Sequence, residues 1–168
     1  PAAPVAVVAV APAPPAAPPA PPPSPPAPNS QAFARVVELG QNVSMLMGQG
    51  GNLGLLTGED GVFMIDDQYA TNAIANLAKI EELAKGKPKF LVNTHWHGDH
   101  AGGNAVFAKA GATVFASDNV RKRLTGEIAS AGPGAAGGPA PKEAWPVVTF
   151  ASGIDFHLNG QTIRAIRA

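Results

Sequence analysis

His95-Trp96-His97-Gly98-Asp99-His100 puts four good metal ligands into six consecutive positions, and three of the chain's four histidines are among them. The run follows Phe90-Leu91-Val92, a short continuous apolar stretch of the kind expected for a central strand covered on both faces. The cluster therefore falls at the carboxyl end of a strand, where open α/β sheets place their sites. His95 and His97 are two apart, so in extended or loop backbone both side chains face one side and can share one ion. Asp99 and His100 follow the tight Gly98 as the chain turns into a helix, and can face a second ion. A hard carboxylate with imidazoles suits Zn²⁺, with Fe²⁺ and Mn²⁺ as further candidates. Two ions about 3.5–4 Å apart can hold a hydroxide between them, and coordination brings the pKa of bound water towards ~7. No serine or cysteine nucleophile is then required. The alternative is a chance group of surface histidines in a loop. Glycines at Gly98, Gly102 and Gly103, at a strand-to-helix switch, favour the metal reading.

Upstream of the cluster, residues 35–39 and 43–47 read as short strands around Gly40-Gln41-Asn42. Residues 48–51 form a glycine-rich loop. Residues 53–57 and 62–66 read as a hairpin closed by Gly58-Glu59-Asp60-Gly61. The period then changes: over residues 71–85, Ile74, Leu77, Ala78, Ile80 and Ala84 make a helical stripe, with Gly86 just past its end and Pro88 preventing continuation. Downstream, residues 101–110 read as one helix ending at Gly111, and 113–115 as a strand. Ser117 or Asp118 caps a short helix through Leu124. Strand, helix, strand, helix predicts a parallel portion of sheet. Residues 129–146 are a loop rich in Gly, Ala and Pro. Strands resume at 147–150, 154–158 and 162–166, with a turn at Asn159-Gly160.

The 168 residues suffice for one domain with a real core. Zero net charge with 14% charged residues gives no argument for nucleic acid or an anionic membrane as a partner, and a small-molecule substrate stays open. The absence of cysteine excludes disulfides, thiolate zinc sites and cysteine nucleophiles. No apolar stretch approaches the ~18 residues that would span a bilayer. Residues 1–30 are dominated by Pro and Ala and read as an extended, polyproline-like linker without a core. Ala9-Val10-Ala11 resembles the A-x-A site of a secretory signal, although Pro12 follows it and no basic segment precedes it. A periplasmic or secreted location and a cytoplasmic one with a plain tail both stay open.

Asn93-Thr94-His95-Trp96-His97-Gly98-Asp99-His100-Ala101-Gly102-Gly103-Asn104 resembles the H-x-H-x-D-H signature of the metallo-β-lactamase superfamily. The resemblance extends back through Gly50-Gly51-Asn52-Leu53 and Val62-Phe63-Met64-Ile65-Asp66-Asp67, and on to the C-terminus. It implies an α/β (α+β) fold, an αββα sandwich, of which residues 31–168 supply the first half: a mixed sheet with flanking helices and the opening strands of the second sheet. By the same resemblance His95 and His97 bind a first metal, and Asp99 and His100 a second. Asp99 can also handle a proton in turnover, and Asp66 orients the ligands from behind. The family's remaining histidine ligands would lie beyond Ala168. The chain alone is then expected to be an inactive, C-terminally truncated piece of a metal-dependent hydrolase with a metal-activated hydroxide. An ester, thioester, lactone, lactam or phosphodiester is the expected substrate. The rival expectation is a non-catalytic metal-binding or linker-tethered interaction module. His157 reads as a strand-face residue, Trp96 as packing, and Arg121-Lys122-Arg123 as a solvated helix face.

Overall fold

Short turns join the first four strands and helices join the next three, and this switch sets the sheet's topology. In the computed structural model, which describes residues 35–129 and 138–167, β1 (Arg35–Gly40), β2 (Val43–Met47), β3 (Asn52–Leu56) and β4 (Val62–Ile65) pair antiparallel in chain order. Parallel neighbours need a longer crossover, usually helical. Thus α1 (Ala73–Ala84) leads from β4 to β5 (Pro88–Asn93), and α2 (Gly98–Ala101) with α3 (Asn104–Lys109) leads on to β6 (Thr113–Ser117). Past α4 (Asp118–Leu124) and a 3-10 turn at Lys142–Ala144, β7 (Val148–Phe150) adds parallel to β6. Among the described residues the main sheet has seven strands in sequence order, and β8 (Gly153–Leu158) with β9 (Gln161–Ile166) forms a second, two-stranded antiparallel sheet. The mixed sheet, its helices and the start of a second sheet agree with the expectation. The Pro-rich segment and residues 130–137 of the expected loop lie outside the described residues.

Alternation along the strands divides the core. Leu46, Leu53, Val62, Met64, Leu91 and Val114 face Ala73, Ile80 and Phe107 on the helix side. Phe63, Val92 and Phe115 face the other way, onto Phe156 and Leu158 of the second sheet. Phe156 meets Phe63 and Phe115 edge-on, with centroids 4.9 Å away in both cases, the arrangement preferred by aromatic quadrupoles. At one end the two sheets are clasped by reciprocal bonds between the β3–β4 and β8–β9 turns. Asp60 N donates to Asn159 Oδ1 at 2.9 Å, Asn159 N to Asp60 Oδ2 at 2.5 Å, and Asn159 Nδ2 to the Gly61 carbonyl at 2.8 Å.

Two expectations are corrected. Ile74 is 74% exposed and Ala78 is exposed, because α1 turns Ala73, Asn76, Leu77 and Ile80 inward instead. Lys85, at φ 50°, takes the left-handed position at the end of α1, and Gly86 follows just past it as expected. The single helix expected over 101–110 is broken into α2 and α3, because the Gly103 amide donates to Asp67 Oδ1 at 2.7 Å and the Gln68 carbonyl at 3.0 Å. Ser117 does cap α4, accepting from the Val120 amide.

Phe156→Ala should lower unfolding free energy by about 3–5 kcal/mol, the usual range for emptying a buried aromatic site. Ile74→Ala should change it by no more than about 0.5 kcal/mol, as for an exposed position. Urea titrations of both variants provide the measurement, and equal losses would show that the second sheet is not packed as described.

Candidate metal centre

The site is assembled where β4 and β5 end side by side. Asp66 leaves β4 in a left-handed conformation, φ 60°, with its amide donating to the Val92 carbonyl at 2.9 Å. Gln68 is also left-handed, φ 70°. Non-glycine residues held there cost about 1–3 kcal/mol each and persist only where the surroundings over-determine them. Those surroundings include the Asp67 amide, bonded to the His100 carbonyl at 2.8 Å, and the Gln68 side chain, which donates to the Gly51 carbonyl.

Asp66 is 3% exposed, and its carboxylate accepts three hydrogen bonds. Thr94 N donates to Oδ1 at 2.8 Å, while Thr94 Oγ1 and His100 Nδ1 each approach Oδ2 at 2.7 Å. His100 is thereby turned so that its Nε2 lies 3.6 Å from Asp99 Oδ2. Thr94 Oγ1 also lies 3.0 Å from His95 Nδ1. The His95 ring is 4.1 Å from that of His100 and 4.8 Å from that of His97. Donor atoms of His95, His97 and Asp99 all fall within 4.8 Å of one another, as do those of Asp66, His95 and His100. Imidazoles and a carboxylate so spaced fit a divalent transition ion. The structure thus brings His95, His97 and Asp99 into one group of donors and sets His100 Nε2 beside Asp99 Oδ2.

Close approach explains two glycines. A Cβ on Gly51 would sit 2.9 Å from the Asp99 carbonyl and 3.0 Å from His100 Nε2. One on Gly102 would sit 2.4 Å from the Gly98 carbonyl and 2.8 Å from Ala70 N. Around the histidines, Trp96 packs half-buried beside Ala101, Ala116, Val120 and Leu124, with its ring centroid 4.4 Å from that of His97. Arg123 lies over Trp96 at 5.2 Å, and Arg121 lies over Trp145 at 5.8 Å while donating to the Pro146 carbonyl. The expected solvated face thus holds only for Lys122, since aromatic rings engage its two neighbours. His157 is the strand-face residue expected, paired with Thr162 Oγ1 at 3.1 Å and outside both donor groups. A cleft of about 490 Å³ opens between the sheets, and no residue of the run His95 to His100 lines it.

Sequence reasoning passed over Thr94, although it is part of the quoted motif. It also passed over Asp67, Asn93 and Asn104. Asn104 donates to Asn93 Oδ1 and the Ala144 carbonyl, both at 2.9 Å, which fastens α3 to the site strand. Asn93 is seated between that bond and the His100 carbonyl, 3.5 Å from its amide nitrogen.

Two groups have displaced pKa values. Burial, then the neighbouring His100, lowers that of His95, which favours the neutral imidazole that a metal requires. Asp67 is fully buried and Oδ2 has no hydrogen-bond partner. Burial is the main cause that raises its pKa well above the ordinary carboxylate value, outweighing the Gly103 hydrogen bond that lowers it.

Residues 46–165 match the model of the metallo-beta-lactamase superfamily. No curated protein matches the chain. Among solved structures, a Cronobacter sakazakii metallo-beta-lactamase is similar, with 25% identity and a TM-score of 0.65 over 78% of this chain and 51% of that one. MEM-A1, a subclass B3 metallo-beta-lactamase from a soil metagenome library, has 22% identity and a TM-score of 0.62 over 76% and 50%. MIM-1 from Novosphingobium pentaromativorans has 28% identity and a TM-score of 0.57 over 68% and 44%. The chain thus spans about half the length of these structures.

Asp67→Asn keeps the oxygen that accepts from Gly103 and removes the titrating group. A pKa raised by folding means that the contribution of Asp67 is full below the ordinary value of 3.8 and is lost as pH rises. Unfolding free energy of the wild type relative to Asp67→Asn should therefore fall between about pH 5 and about pH 8. Urea titrations at the two pH values measure it, and a difference that stays flat would refute a buried protonated Asp67.

Proposed function

The chain belongs to the metallo-β-lactamase superfamily, and on that premise we propose that its full-length protein is a metal-dependent hydrolase acting on an ester, thioester, lactone, lactam or phosphodiester. The observation that carries the reading is the convergence of donor atoms from His95, His97 and Asp99 within 4.8 Å, with His100 Nε2 3.6 Å from Asp99. His95, His97, Asp99 and His100 would hold the metal, zinc in first place with iron or manganese as alternatives, in a complete site of two ions. When bound, such ions supply Lewis acidity and a water acidic enough to serve as nucleophile at neutral pH.

The protein's own groups do the rest. A neutral His95 offers a nitrogen lone pair without first losing a proton. Asp66 holds the His100 ring in one orientation, since a carboxylate accepting from the far nitrogen of a ligand histidine sets its direction and basicity. Trp96 packs its ring against that of His97 and limits the turning of the imidazole. Asp99 Oδ2, beside His100 Nε2, is the oxygen best placed to take and release a proton during turnover. Export to the periplasm or beyond, one of the two locations that the segment around Ala9-Val10-Ala11 leaves open, belongs to the same proposal. No helix among the described residues is long and apolar enough to cross a membrane.

The test is elemental analysis and hydrolysis by the full-length protein and two variants. Bound transition metal and chelator-sensitive turnover are expected. His97→Ala should abolish both, while Asp66→Ala should cost about 10–100-fold in metal affinity or activity, as loss of an orienting partner does. A protein that stays metal-free on addition of zinc would overturn the proposal, and metal binding without turnover would favour the non-catalytic module. An Asp66→Ala defect as severe as that of His97→Ala would make Asp66 itself a ligand or a residue on which the fold depends.

A further inference from the structure

The hydroxyl of Thr94 lies between two groups that the mechanism above treats separately. Oγ1 is 2.7 Å from Asp66 Oδ2 and 3.0 Å from His95 Nδ1. A hydroxyl carries one hydrogen, and a carboxylate only accepts. The shorter, charge-assisted contact takes that hydrogen. Towards His95 the hydroxyl therefore presents a lone pair, which only a protonated Nδ1 can use. The His95 proton then sits on Nδ1, and its lone pair on Nε2. His100 reaches the same state directly, because its Nδ1 lies 2.7 Å from the same Asp66 oxygen.

We infer that Thr94 is a positioning residue that relays the Asp66 carboxylate to His95, so that one buried acid sets the ring tautomer of two histidines, one by contact and one through a hydroxyl. Asp66 and His95 face each other across the ends of β4 and β5. The Thr94 amide, bonded to Asp66 Oδ1 at 2.8 Å, fixes the hydroxyl's place between them. That amide bond survives any side-chain change at Thr94, so the relay can be removed without detaching the backbone from Asp66.

For its consequence the inference rests on the metal-binding reading, but the tautomer can be observed without metal. Thr94→Val keeps the shape and removes the hydroxyl, Thr94→Ala is a second hydroxyl-free variant, and Thr94→Ser restores the relay. Nitrogen-15 NMR of the histidine rings in the metal-free protein should show His95 protonated at Nδ1 in the wild type and in Thr94→Ser. It should show that preference lost in Thr94→Val and Thr94→Ala. Zinc affinity, read by competition with a chelator, should fall about 10–100-fold in the hydroxyl-free variants and recover in Thr94→Ser. A merely structural threonine would change the melting temperature and leave the ring spectrum as it was. Hydroxyl-free variants with the wild-type tautomer would overturn the inference, as would Thr94→Ser behaving like Thr94→Val. A wild type that binds no zinc would instead overturn the functional proposal, with the ring spectra still deciding the role of Thr94.

Discussion

The site depends on one buried carboxylate. Asp66 accepts from the Thr94 amide, the Thr94 hydroxyl and the His100 ring, and so ties the end of β4 to the end of β5 and to the start of α2. Without three donors such a carboxylate would be costly to bury. With them it fixes the backbone from which His95 departs and the ring of His100. The left-handed turn at Asp66 and Gln68 is the local strain that brings these donors together, and the close approach of Gly51 to His100 is possible because no side chain stands there.

Much of the architecture was legible because the strands obey their period. Val62, Phe63 and Met64 alternate between the helix side and the second sheet, and turn residues at Gly58 to Gly61 and at Asn159-Gly160 mark both hairpins. The change from antiparallel to parallel pairing followed from the change in apolar spacing after β4. The split between α2 and α3 was not legible. Its cause is an acceptor on Asp67, 36 residues from the Gly103 amide that it captures, and helical periodicity over 101–110 has no means of registering it. The inward face of α1 was misplaced for a related reason: Asn76 is buried within the fold, and a polar residue does not announce itself as core.

In the site, the ligand-type residues stood out by chemistry alone: four donors in six positions after an apolar strand. Their supports did not. Thr94 and Asn104 are common residues whose roles exist only once β4, β5 and α3 are adjacent. Arg121 and Arg123 looked like solvent-facing charge because nothing in their own segment says that Trp145 and Trp96 lie under them. Asp67 was passed over beside Asp66, yet the two neighbouring carboxylates differ: one is supplied with three donors, the other has an oxygen without a partner.

The clasp between Asp60 and Asn159 has a kinetic meaning. Each strand of the main sheet pairs with its neighbour in sequence, so the sheet can grow by short steps, whereas the clasp joins residues 99 apart. Loop-closure entropy must be met before such a contact gives anything back. We expect it to form after the rate-limiting barrier, when the small sheet settles onto Phe63 and Phe115. A contact of that kind sets how fast the sandwich opens and leaves the speed of folding nearly untouched. The signature is faster unfolding, an unfolding limb of the denaturant chevron that is raised while the folding limb stays nearly where it was, when Asn159 is changed. Asp60 and Asn159 would then act as a latch on the lifetime of the native state, at the opposite end of β4 from the candidate site.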